Sequence, residues 1–196
     1  MQPFALKEWA TVIAAMLAGD QVVMLRKGGI GEKRFDVPHR EFLLLPTHVH
    51  QRPELLKPEV CRRWPELLAI TDEPSAVDLT AWCEVADVHE VSEQAQLGAL
   101  APFHVLGPDY AEARLKWRPR HPLMVIVPRV HHVDPSIRLK VSPDMRGCRS
   151  WVEVPVQMPA ASPVLGDAEF AAVREDVARA LDAVRPDSAH RTATLG

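Results

Sequence analysis

Arg26-Lys27-Gly28-Gly29-Ile30, followed by Pro38-His39-Arg40-Glu41-Phe42-Leu43-Leu44-Leu45-Pro46-Thr47-His48-Val49-His50-Gln51, is the stretch on which the fold turns. Its first part is a basic pair leaving an apolar run, then a glycine turn. Its second part, Glu41 to Leu45, reads as a buried strand stopped by Pro46 and opening onto polar, nitrogen-bearing side chains. Polar residues at the ends of buried strands are common raw material for a site.

On the N-terminal side, Leu6, Trp9, Ile13, Met16 and Leu17 fall at helical spacing. An amphipathic helix is therefore predicted over residues 4–18, ended by Gly19-Asp20. Gln21 to Leu25 is a short strand with Arg26 and Lys27 at its exit. On the C-terminal side, Pro53, Pro58 and Pro65 break a connector that leaves room for one short helix between Pro58 and Trp64. Leu79, Ala81, Cys83 and Val85 alternate with Thr80, Trp82 and Glu84, the period of a strand. Ser92 is expected to cap a helix running to Leu100, and Asp109 a second one ending near Trp117. Leu123 to Val127 is apolar on both faces and predicts a central strand, with Pro128 marking a bulge or an end. Trp151 to Val154 is a shorter strand, and Asp167 is expected to cap a last helix carrying Phe170, Val173, Val177, Leu181 and Val184. Strands and helices mix without strict βαβ alternation. The expectation is one α+β domain over residues 1–185, a mixed and largely antiparallel sheet flanked by helices, with residues 186–196 a disordered tail.

Composition narrows the function classes. The chain has 196 residues, 47% hydrophobic and 25% charged, enough for one well-buried core. No apolar run approaches the roughly 20 residues that span a bilayer. Lys7-Glu8 interrupts any signal-peptide pattern, so a cytoplasmic location without a membrane partner is expected. Cys61, Cys83 and Cys148 are odd in number, far apart and free of any CxxC pair, which argues against a disulfide framework or a zinc knuckle. The net charge of −3 argues against a dedicated nucleic-acid binder. The charge is uneven, however. Residues 51–100 hold 4 basic and 10 acidic side chains, and residues 101–150 hold 9 basic and 4 acidic. A basic face on a mildly acidic protein is where an anionic ligand would go.

Local motifs supply candidates and no complete catalytic signature. The Gly28-Gly29 turn lacks the lysine and hydroxyl of a Walker loop and the helix of a dinucleotide fingerprint, although its amides beside Arg26 and Lys27 suit an anion nest. His48 and His50 point to one side of an extended backbone, but no third ligand is fixed by spacing, so no metal and no cofactor is assigned. Asp36 and Glu41 are carboxylates without the Glu-x-Lys strand that a magnesium nuclease needs. Cys148-Arg149-Ser150 is the one nucleophile candidate, and no partner histidine is identified for it. Arg114-Leu115-Lys116-Trp117-Arg118-Pro119-Arg120 is the most basic stretch, with cations for phosphate around a tryptophan for stacking.

Five stretches together resemble the bacterial family named domain of unknown function 1802 (DUF1802). They are Ala5-Leu6-Lys7-Glu8-Trp9; Leu25 to Ile30; Glu41 to Leu44 with Pro46-Thr47 and His50-Gln51; Arg114-Leu115-Lys116-Trp117; and Gly147-Cys148 with Ser150-Trp151. The chain departs from the family pattern at His48, where an aromatic is expected. In layout it is also similar to PUA-like barrels, including the ASCH group, in which a short helix precedes a strand ending in a basic residue and a glycine turn. That similarity implies a PUA-like barrel and a surface for RNA or modified nucleotides.

The leading expectation is a module binding RNA, DNA or a nucleotide in a basic cleft. Arg26, Lys27, Arg114 and Lys116 would contact phosphate beside Gly28 and Gly29, Trp117 would stack, and His50 with Gln51 would orient the bound group. A metal-dependent phosphodiesterase using Glu41, His50 and Lys27 is the alternative. A protein-interaction domain using the acidic 51–100 segment is the third reading. Oligomeric state is left open.

Overall fold

The computed structural model describes residues 3–27, 35–49, 51–116, 121–147, 149–158 and 160–184. Their centre is a mixed sheet. It contains β1 (Phe4–Trp9), β2 (Met24–Arg26), β3 (Glu41–Thr47), β4 (Ala76–Val91), β5 (Leu123–Lys140), β6 (Trp151–Glu153) and β7 (Ala161–Pro163). The strand order is β2-β5-β4-β3-β1-β6, with β7 added against β5. Only β1 and β3 run parallel, Ala5 opposite Leu43 through Trp9 opposite Thr47, and the other pairings are antiparallel. The helices are α1 (Ala10–Leu17), α2 (Pro58–Arg63), α3 (Pro65–Leu68), α4 (Gln94–Ala99), α5 (Pro108–Lys116) and α6 (Asp167–Asp182). The expected α+β class holds.

Alternation along the strands divides the core. Leu6, Phe42, Leu44, Ala81 and Cys83 face one apolar layer with Ile13, Met16, Phe170 and Val177 from the helices. Ala5, Leu43, Leu45, Val77 and Leu79 face a smaller layer with Val133, Leu139, Met145 and Val152. A strand buried on both faces has no polar alternation, which explains the continuous apolar run from Phe42 to Leu45.

Several expectations need correction, among them that Asp109 lies in the first turn of α5 and does not cap it, and that the strand expected over Gln21–Leu25 is Met24–Arg26. The segment 4–9 is a strand, and the helix begins only at Ala10. β1 lies between β3 and β6, and laddering on both sides outweighs the helical spacing of Leu6, Trp9 and Ile13. Pro46 does not stop β3, which continues to Thr47. β4 pairs only with Glu41–Leu43, so the strand is unladdered on that side at Pro46 and a missing N–H is tolerated. The cap of α4 is Glu93 in a capping box with Gln96, not Ser92. The cap of α6 is Gly166, whose N–H donates to the Glu169 carboxylate at 3.0 Å, with Asp167 already in the first turn.

Pro128 neither ends β5 nor disrupts it. The β4–β5 register shifts between Val85 and Asp87, opposite Pro128 and Val127, so Ala86 is an extra residue in a bulge. The tail 186–196 lies outside the described residues. Among the described residues no helix is long and apolar enough to cross a membrane.

Among the described residues no ladder joins β2 to β1, so the sheet they form is not closed into a barrel. It curls far enough for one side chain to span the opening. The Arg26 guanidinium at the end of β2 donates to the Lys7 carbonyl and pairs with Glu8 Oε2 at 3.0 Å, both on β1.

Candidate functional site

Because β1 and β3 are parallel, their C-terminal ends lie side by side and release the chain in the same direction. A cleft of about 820 Å³ opens there, within the size range of small-ligand sites. The lining includes Lys7, Glu8 and Trp9 of β1, Arg26 of β2 and Leu45, Pro46 and Thr47 of β3. The rest of its wall includes Arg52, Glu73, Tyr110 and Arg114 of α5, and Arg146, Gly147, Arg149 and Ser150 after β5. Six cationic side chains face two carboxylates, so the wall carries a positive field focused by its low-dielectric surroundings.

Local hydrogen bonds fix the walls. The Lys7 N–H donates to the Ser150 carbonyl at 2.9 Å, and its ammonium to the Gly147 carbonyl at 2.9 Å, which hold the 146–150 loop against β1. Glu8 Oε1 accepts the Trp9 N–H at 2.8 Å while Oε2 meets Arg26, so both oxygens are engaged. The Thr47 hydroxyl donates to the Glu8 carbonyl at 3.1 Å, locking the two strand ends together. The Trp9 and Tyr110 rings lie 5.0 Å apart, tilted by 50°. The Arg114 Nε–H donates to the Tyr110 hydroxyl at 2.9 Å, with the guanidinium over that ring. Glu73 Oε1 accepts the His48 and Val49 N–H groups, each at 3.0 Å. Arg52, Arg146 and Arg149 are exposed and make no ion pair among the described residues.

The sequence candidates are distributed unevenly about this cleft. Arg26 and Arg114 line it. Lys27 is buried, its ammonium donates to the Leu115 carbonyl at 2.6 Å, and burial lowers its pKa. Lys27 thus ties the end of β2 to the end of α5. Lys116 is exposed on α5 and pairs with Glu112, one turn before it. Gln51 Oε1 accepts the Thr11 N–H and hydroxyl, both at 2.9 Å, and so caps α1 from forty residues away. Glu41 is exposed at the start of β3, opposite Glu84. Gly28, Gly29, His50, Trp117 and the nucleophile candidate Cys148 lie outside the described residues. His48 is buried, and its Nδ1 has no partner among the described residues. Among the described residues no group of three or more His, Cys, Asp or Glu side chains is placed to share a metal ion.

Sequence reasoning missed Lys7, Trp9, Arg52, Glu73, Tyr110 and Arg146 as site residues, and it named Arg149 only beside a nucleophile. A signal was present for some of them. Lys7, Glu8, Trp9, Arg26, Pro46, Thr47, Arg114, Gly147 and Ser150 all lie in the stretches that carry the family resemblance, and all line this one cleft.

The model of that family, a domain of unknown function, matches residues 5–176. The chain belongs to the DUF1802 family. No curated protein matches the sequence of this DUF1802 chain. Among solved structures it is similar to ASCH from Zymomonas mobilis, with a TM-score of 0.46 and 9% identity over 88% of this chain and 93% of that one. Two mutant forms of the same Zymomonas protein give TM-scores of 0.43 at 10% identity, over 88% and 89% of this chain and 94% and 98% of theirs.

Proposed function

We propose that this DUF1802 chain binds nucleic acid or a nucleotide through its phosphates, in the cleft at the ends of β1 and β3. The observation that carries this reading is the convergence of six cations from five separate segments on one cleft that also contains Trp9 and Tyr110. Cations supply phosphate contacts and aromatic rings supply a surface for bases. Arg146, Arg149 and Arg52, exposed and without an ion pair, are the phosphate contacts. Arg26 shapes the wall by holding Glu8. Arg114 and Lys116 act from α5, and Trp117 would add a stacking surface to the contact.

A mobility-shift titration with RNA and DNA, each single-stranded and duplex, tests this at several salt concentrations and with magnesium or chelator. The expected result is binding that weakens steeply with salt and ignores chelator. An Arg146→Ala, Arg149→Ala double variant should bind about tenfold or more weakly, with a salt slope shallower by about one to two. Both side chains are exposed, so the variant should melt with the wild type. Absence of a shift at low salt, or wild-type binding by the variant, would refute the proposal.

A further inference from the structure

The cleft holds one polar group that phosphate recognition does not use. Glu73 lines it, yet Oε1 alone accepts both backbone N–H groups, and Oε2 accepts nothing among the described residues. Glu73 also has no cation partner among them, unlike Glu8, whose two oxygens are both engaged. A carboxylate left free in a wall of cations repels phosphate and favours a ligand group that donates N–H.

The surroundings narrow what that group belongs to. The cations stand in two sets on different elements. Arg146 and Arg149 lie on the loop that Lys7 holds, whereas Arg52 and Arg114 lie on α5 and the turn bonded to its start, where Gly107 N–H donates to the Leu55 carbonyl at 2.9 Å. Trp9 contributes a half-buried ring. A ligand matching all three features carries anionic groups, a flat ring and an amino donor on that ring.

Resting on the phosphate-binding reading, we propose that the cleft takes single-stranded nucleic acid with an unpaired amino-bearing base (adenine, cytosine or guanine) on Trp9, and that Glu73 reads the exocyclic amine. Base pairing would occupy that amine, so a duplex satisfies the phosphate contacts and not this one. Uracil has no exocyclic amine and is the discriminating base.

The test uses fluorescence anisotropy with oligo-adenylate, oligo-cytidylate and oligo-uridylate RNAs of equal length, on the full chain and on Glu73→Gln. The glutamine keeps a carbonyl oxygen for the His48 and Val49 N–H groups and replaces the free oxygen with a donor, so the variant should melt as the wild type does. Wild-type protein should bind oligo-adenylate and oligo-cytidylate about tenfold more tightly than oligo-uridylate. Glu73→Gln should erase that preference, while oligo-uridylate, relieved of the carboxylate's repulsion, binds at least as tightly as to the wild type. Equal wild-type affinity for the three RNAs, or a preference that survives Glu73→Gln, overturns base reading but leaves phosphate binding standing. No binding of any RNA at low salt overturns both.

Discussion

His104 is a buried histidine whose ring nitrogens both lack, among the described residues, a partner with hydrogen-bond geometry. Burial, reinforced by the Lys57 charge, pushes its pKa from 6.5 down to about 4, and the Leu106 backbone offsets this only in part. Because the folded value lies below the unfolded one, the contribution to stability is whole above pH 6.5 and drains as pH falls toward 4. Lowering the pH from 7 to 5 should remove about 2 kcal/mol of stability through this residue. His104→Gln should flatten that part of the acid slope in urea titrations. An unchanged slope would show that His104 stays accessible to protons in the folded state. Gln51 teaches a related lesson. A polar residue beside a candidate site is here a remote cap for α1, a role visible only once its partner Thr11 is known.

At the scale of elements, the α1 terminus depends on one backbone conformation. Gly19 has φ of +78°, and its N–H donates to the Met16 carbonyl while Asp20 N–H reaches Ala15. That left-handed turn lets the chain reverse from α1 into β2. A methyl group at Gly19 would sit 3.3 Å from the Leu165 side chain, besides the cost of positive φ. Gly19→Ala should lower stability by about 1–2 kcal/mol, read as a shift in the urea midpoint. A shift below a few tenths would mean that the turn relaxes elsewhere. Reading 4–9 as helix had a consequence at the same scale. It left Lys7 and Glu8 without a place in the site, whereas the strand brings both to the cleft.

At the scale of the molecule, the last buried apolar side chain of α6 is Leu181 and the helix ends at Asp182. Deleting residues 186–196 should therefore leave the melting temperature unchanged, measured by circular dichroism. A lower melting temperature would place part of the packing beyond residue 185.

Local pattern by itself determined these elements: period-two alternation marked β4, helical spacing the long α6, continuous apolar runs the doubly buried β3 and β5, and flanking prolines the short α2. The stretches Lys7-Glu8-Trp9, Pro46-Thr47, Arg114 and Gly147-Cys148 with Ser150 also carried the family. Which of these residues meet was decided only by tertiary structure. Parallel pairing of β1 with β3 and the curl that brings Arg26 to Glu8 join positions far apart in the chain. Such pairing depends on ladder bonds and packing between distant segments, which leave no local spacing to read. The same physics buried Lys27, engaged Gln51 and left Glu73 Oε2 free among the described residues. Residue type named the chemistry available, and long-range packing decided which side chains were still at liberty to use it.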